Sequence, residues 1–245
     1  MSDGTEKSGG GQFRLLGTRR FGPLFLTQFL GAFNDNLYKN ALVVLVTFQA
    51  AQWTPMRPEI LANLAAGLFI LPFFFFSATA GQLADKYDKA LLARLTKLLE
   101  VGIMLVAIAG FLLHSLTLLL AALFLLGLQS TLFGPVKYAI LPQHLDEREL
   151  VGGNAKVEAG TFVAILIGTL AGGLLAGAGV DAVWIALAGL GVAVAGYIAS
   201  RGIPDAPPPA PDLVVNVNPL SETWRNIGFA RENRTVFLSI LGISW

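Results

Sequence analysis

Residues Phe33-Asn34-Asp35-Asn36-Leu37-Tyr38-Lys39-Asn40 set a carboxylate, an ammonium and three carboxamides close together along the chain. Their chemistry is recognition of a charged or zwitterionic group. Asp35 and Lys39 are i and i+4, so on a helix they share a face and can pair. Gln28 falls on the same stripe two turns earlier, and Asn36 and Asn40 on the adjoining one. The cluster lies near the middle of an apolar stretch from about Phe21 to Phe48. A bilayer core takes roughly 20 apolar residues of helix to cross. A charge at the centre of such a helix costs about 2.5–3.5 kcal/mol on insertion scales. The stripe must therefore face a protein interior or a water-filled cavity. It reads as a substrate or ion pathway; the alternative is an ion pair that only holds helices together.

The rest of the chain supplies the elements that must position this stripe. Of 245 residues, 54% are hydrophobic and 13% charged, against roughly 25% charged in a soluble domain. The charges are bunched and leave long uncharged runs, the pattern of a polytopic, all-α membrane protein. The net charge of +1 points to no nucleic-acid partner. Cysteine is absent, which excludes disulfides, a thiol nucleophile and thiolate metal sites. His114 and His144 are too few for a metal site, so neither metal nor cofactor is expected. The polar, glycine-rich and basic start followed by a long apolar run is not a cleavable leader. No catalytic serine, histidine and aspartate set can be placed, and no enzyme activity is expected of this chain.

Six spans are expected, at about 22–46, 60–83, 93–113, 117–138, 156–177 and 181–200. Pro72 falls mid-span and predicts a kink. His114-Ser115 must form a tight hairpin, because the apolar run on either side is too long for one helix. Basic residues alternate between loops. Lys7, Arg14, Arg19 and Arg20 lie on one side with Lys86, Lys89, Arg94, Lys97, Lys137, Arg148, Lys156 and Arg201. Arg57 is alone on the other. The N-terminus and the segment after span six are thereby expected in the cytoplasm. The organisation is a cytoplasmic tail (1–20), a six-helix bundle (21–203), a cytoplasmic linker with an amphipathic helix (204–235) and the start of a seventh span (236–245). Pro204 and Pro207 to Pro211 read as a stiff, extended, solvated linker. Residues 219–234 read as a helix lying flat on the membrane surface. The final apolar run, Val236 to Trp245, is half the length of a span.

Such an order fits the first half of a larger transporter, built as two inverted three-helix repeats. Leu30-Gly31 before the polar cluster of span one echoes Leu126-Gly127 before Gln129-Ser130-Thr131 of span four.

Gly81-Gln82-Leu83-Ala84-Asp85-Lys86-Tyr87-Asp88-Lys89 resembles the signature loop of the major facilitator superfamily between helices two and three. Asp88 stands where the pattern has a second glycine, and Ala90 where it ends on a basic residue. The resemblance implies the N-terminal half of that fold. It also implies that Gly81, Asp85, Lys86 and Lys89 form a conformational latch, with Gly81 allowing close helix approach and Asp85 pairing with basic groups. A narrower resemblance lies in three further places. Gln28-Phe29-Leu30-Gly31-Ala32-Phe33-Asn34-Asp35-Asn36, Pro135-Val136-Lys137-Tyr138-Ala139-Ile140-Leu141 and Asn154-Ala155-Lys156-Val157-Glu158-Ala159-Gly160-Thr161 look like the lysophospholipid transporter branch. What that branch implies is movement of lysophospholipid, of the ethanolamine type, from the outer to the inner leaflet of a bacterial inner membrane for re-acylation. The implied partners are membrane lipid, the missing C-terminal half and an acyltransferase or acyl-ligase. Two other readings stand beside it: a facilitator for another small amphiphile or drug, and a non-transporting scaffold for acyltransferase enzymes.

For a zwitterionic headgroup, Asp35 would meet the ammonium and Lys39 or Lys137 the phosphate. The pathway set is then Gln28, Asn34, Asp35, Asn36, Lys39, Lys137 and Glu158. Lys137 has a second reading, as a lysine snorkelling to the interface. Glu158 and Asn154 have one as polar groups in the first turns of a helix. Lys97 and Glu100 read as an interface pair, with a functional role as the alternative. Gly160, Ala164, Gly168, Gly172 and Ala176 form a small-residue packing stripe, to which Gly173 and Gly177 add a second pair. Phe73 to Phe76 read as lipid-facing.

Overall fold

The computed structural model describes residues 14–48, 54–216 and 218–244. Lys7 and the rest of the tail before Arg14, and Trp245 at the end of the last apolar run, lie outside the described residues. After a 3-10 turn at Leu15–Gly17 come helices α1 (Gly22–Phe48), α2 (Pro58–Lys86), α3 (Lys89–Leu112), α4 (Leu116–His144), α5 (Glu147–Gly177) and α6 (Ala182–Ser200). Two shorter helices follow, α7 (Pro219–Glu232) and α8 (Arg234–Ser244). The described residues contain no strand.

Local chemistry sets the helix starts. Pro58 occupies the first turn of α2, where its missing N–H costs nothing. Asp88, Ser115 and Asp181 cap α3, α4 and α6 by accepting from Leu91, Leu118 and Val183. Glu149 reaches back to the Asp146 N–H at 3.2 Å at the start of α5. His114, at φ 49°, takes the left-handed turn between α3 and α4 in the expected hairpin. Helices α4 and α5 run past the expected span ends, to His144 and back to Glu147. Glu158 and Asn154 are consequently well inside α5, not in its first turns.

Helices α2 to α6 are each long and apolar enough to cross a membrane. Helix α1 is as long, but its polar cluster lowers its hydropathy, and that cluster is turned inward: Asn34, Asp35 and Asn36 are all buried. The six helices pack in a twofold pattern. Helix α1 packs on α5 as α4 packs on α2; α3 packs on α4 as α6 packs on α1; and α3 packs on α6. Exchanging α1 to α3 with α4 to α6 therefore preserves the neighbours, as two inverted repeats require. The small-residue stripe of α5 lies on α1. A Cβ at Gly168 would stand 2.4 Å from the Phe33 carbonyl oxygen, and one at Gly172 2.3 Å from that of Leu37. Gly173 and Gly177 face open space instead.

Two apolar clusters make the core. One gathers Leu37, Leu42, Leu45, Ile103, Met104, Leu119, Leu123 and their neighbours. The other, toward the basic end of the bundle, gathers Phe21, Leu24, Ala90, Ala93, Val136, Ile140 and Ile203. Between them along α1, α3 and α4 runs a buried polar layer: Thr27, Gln28, Asn34, Asp35, Thr96, Lys97, Glu100, Gln129 and Thr131.

The linker is extended, as its prolines dictate, and it is docked on the bundle while Asp205, Pro207, Pro209, Pro211 and Asp212 remain exposed. Ile203 and Ala206 are buried. The Ala206 N–H donates to Asp88 at 2.9 Å, and the Lys89 N–H donates to the Ala206 carbonyl at 3.0 Å. Ala210 donates to the Asp85 carbonyl at 3.0 Å, and Asn216 to the Gln82 side chain at 2.7 Å. Arg94 reaches the Ile203 carbonyl and Asp205 from α3. Helix α7 packs along α2, with Ile227 toward Ser77 and Ala78 and with Trp224 and Phe229 exposed. It thus has a protein neighbour as well as the face expected for a membrane surface.

Candidate functional site

A cavity of about 340 Å³ opens beside the polar layer. Helix α1 contributes Gln28, Gly31, Asp35, Asn36 and Lys39 to its wall, α3 contributes Lys97, and α4 contributes Gln129, Ser130, Phe133 and Lys137. Phe69 and Phe73 of α2 and Thr161 and Ile165 of α5 complete it. Phe73 is therefore a wall residue, whereas Phe74, 73% exposed, keeps the lipid-facing role expected of the whole run.

Asp35 and Lys39 do not pair. The Ser130 hydroxyl donates to one Asp35 oxygen. The other, Oδ1, is buried with no hydrogen-bond partner among the described residues. Lys39 donates to Asn36 Oδ1 at 2.9 Å and lies 4.9 Å from the centre of the Phe69 ring. Each charge has a nearer polar or aromatic neighbour than the other. The result is a carboxylate and an ammonium presented separately to one cavity, an arrangement that can hold both ends of a zwitterion.

The remaining expected pathway residues separate into wall and support. Gln28 ties α1 to α5, accepting from Thr161 at 2.7 Å. Asn36 bonds back to the Ala32 carbonyl. Lys137 is half-buried in the cavity wall, 4.7 Å from the Tyr138 ring centre. Asn34 turns away from the cavity and donates to Glu100 Oε1 at 2.8 Å. Glu158 accepts from the Tyr138 hydroxyl, joining α5 to α4 outside the cavity wall.

Lys97 and Glu100 are not an interface pair. Their side chains are 1% and 0% exposed, and Lys97 Nζ donates to Glu100 Oε2 at 2.5 Å. Gln129 adds a donor to the same oxygen at 3.4 Å. The available sequence signal was a lysine and a carboxylate at i, i+3 in the first turns of an apolar span.

The expected latch residues lie at the α2–α3 turn, beside the linker. A Cβ at Gly81 would meet nothing within 4 Å among the described residues. Asp85 is exposed and forms no ion pair among the described residues; its backbone carbonyl receives the linker instead. Lys89 is buried and donates to the Pro207 carbonyl at 3.3 Å. Lys86 lies 5.8 Å from the Tyr87 ring.

Residues 24–245 match the family model described as Major Facilitator Superfamily. The chain belongs to that superfamily. Among curated relatives, the lysophospholipid transporter LplT of Enterobacter sp. (strain 638) is 29% identical over 206 residues, which is 81% of this chain and 47% of the relative. The LplT of Serratia proteamaculans (strain 568) is 28% identical over 89% of this chain and 51% of its own length. That of Escherichia coli (strain SE11) is 31% identical over 62% of this chain and 36% of its own. The chain thus spans about half the length of the curated relatives it matches. Among solved structures, the peptide transporter POT (E310Q mutant, in complex with sulfate) covers 91% of this chain and 45% of its own at a TM-score of 0.55 and 20% identity. That likeness speaks for the fold alone. Within this chain, the polar layer is the buried centre of the six-helix bundle, and the cavity opens beside it.

Proposed function

We propose that this chain forms the first half of a transporter that carries lysophospholipid of the ethanolamine type from the outer to the cytoplasmic leaflet of a bacterial inner membrane, where it is re-acylated. Transport proceeds by alternating access, the second half rocking against this one. The observation that carries the reading is the cavity itself, whose wall sets Asp35 and the lysines Lys39, Lys97 and Lys137 among carboxamides, hydroxyls and the apolar side chains of Phe69, Phe73, Phe133 and Ile165. Asp35, with one oxygen unpartnered among the described residues, takes the ammonium. Lys39 and Lys137, both half-buried, draw in the phosphate. The volume of about 340 Å³ suits a headgroup, leaving the acyl chain against aromatic side chains and lipid. The names of the similar proteins agree with this cargo.

The basic residues at the α2–α3 and α4–α5 turns argue for that end, and the N-terminus, in the cytoplasm. The partners in this reading are the second transporter half and an acyltransferase or acyl-ligase that consumes the delivered lipid. The test is uptake of labelled lysophosphatidylethanolamine by vesicles carrying the full-length protein. Asp35→Asn and Lys39→Met are each expected to reduce uptake at least tenfold. Unchanged uptake in both would remove the assignment and favour the scaffold role.

A further inference from the structure

The Lys97 side chain lies fully buried in a slot cut by two glycines from different helices. On α1, a Cβ at Gly31 would stand 2.3 Å from Lys97 Nζ. On α6, a Cβ at Gly196 would stand 3.5 Å from Lys97 Cδ. The stem passes one glycine and the ammonium ends beneath the other, in the cavity wall, 5.7 Å from the centre of the Phe133 ring.

The pair it forms with Glu100 is lopsided. Glu100 receives Asn34 at 2.8 Å and Gln129 at 3.4 Å besides Lys97, so both of its oxygens are held without help from the lysine alone. Lys97 has three N–H donors and one hydrogen-bonded acceptor among the described residues, Glu100 Oε2. Burying an ion pair rarely adds stability over apolar groups of the same size. A lysine with spare donors, kept at a cavity and given room by glycines, is organised to receive an anion.

We propose that Lys97 is the deep phosphate-binding residue of the cavity, and that Glu100 is its resident counter-ion when no substrate is bound. The phosphate takes the unused Lys97 donors beside Gly31, while the ammonium of the same headgroup reaches Asp35. Lys39 and Lys137, less buried, act earlier, at the rim. Asn34 and Gln129 continue to hold Glu100 when Lys97 turns to the phosphate, and a net-neutral zwitterion adds no net charge to the site. Glu100 competes with the phosphate for Lys97, so weakening it must tighten phosphate binding. This inference rests on the lysophospholipid reading of the cavity for its cargo, but the phosphate site it names is tested separately.

The experiment is equilibrium binding to the full-length protein in detergent, with lysophosphatidylethanolamine and with its deacylated headgroup, glycerophosphoethanolamine. Lys97→Gln is expected to weaken both ligands tenfold or more, Lys97→Arg to recover part of the loss, and Glu100→Gln to tighten both severalfold. A structural pair would instead have Glu100→Gln weaken binding alongside Lys97→Gln, and that outcome overturns the proposal, as does wild-type affinity in Lys97→Gln. If Lys97→Gln does not fold, Glu100→Gln decides alone by the direction of its change. Binding of glycerophosphoethanolamine that depends on Lys97, with none of the lysolipid, would support the phosphate site and overturn the lipid cargo. Binding of neither ligand would overturn both.

Discussion

Gly168 of α5 lies under the Phe33 carbonyl of α1, at a separation that leaves no room for a side chain: an added Cβ would be 2.4 Å from that oxygen. The contact sets how closely the packing stripe of α5 approaches the helix carrying the polar cluster. Gly168→Val is expected to destabilise the bundle by about 1–3 kcal/mol through overpacking. Gly173→Ala, where nothing stands within 4 Å, is expected to leave it unchanged or slightly firmer. Thermal denaturation in detergent compares the two, and equal losses would show that the stripe is not the close interface.

Ser130 is the one hydrogen-bond donor to Asp35 among the described residues. Removing its hydroxyl leaves a buried carboxylate without a partner, a loss of about 1–3 kcal/mol or more for a charged group. Ser130→Ala should therefore lower stability and lysolipid uptake together. Adding Asp35→Asn should return part of the stability and none of the uptake. A Ser130→Ala protein as stable as wild type would mean that Asp35 draws its support from elsewhere.

Because Asp35 and Lys39 have separate partners, exchanging them should not restore function. The double variant Asp35→Lys with Lys39→Asp is expected to transport no better than either single variant. Recovery toward wild-type uptake would show that the two act as an ion pair.

Asp88 holds two things at once, the first turn of α3 through Leu91 and the linker through Ala206. Asp88→Ala is expected to cost about 1 kcal/mol for the lost cap and to speed hydrogen exchange at the Ala206 N–H. Asp85→Ala should not, since the linker uses only the Asp85 backbone carbonyl. Equal exchange rates in the two variants would separate the docking from Asp88.

The spans and the inward-facing stripe of α1 were legible because apolar length and a charge at mid-span leave few solutions in a bilayer. The residues around that stripe were less so. Lys97 follows Arg94 at the basic end of its span, where a lysine ordinarily reaches for the interface. Its depth depends on space left by Gly31 and Gly196, residues distant from it in sequence. Asp35 and Lys39 share a helix face, but spacing along one helix does not register that Ser130 arrives from α4 or that Asn36 is nearer to Lys39. The proline-rich composition of the linker implied extension correctly. It carried no sign of docking, because the groups that receive it, Gln82, Asp85, Asp88 and Lys89, belong to a loop more than a hundred residues earlier. The signature loop was recognisable as a motif, but the motif gave no sign that its residues also seat the linker backbone.

That seat changes the polymer physics of the chain. A free proline-rich segment after α6 would let α7 and α8 sample a wide volume. With Ala206, Ala210 and Asn216 fixed against α2 and α3 and α7 packed along α2, the linker is held at several points along its length. Its entropy is given up within this half, before any second unit is engaged. The helix that follows, α7, is thereby kept at high effective concentration beside its own packing face on α2.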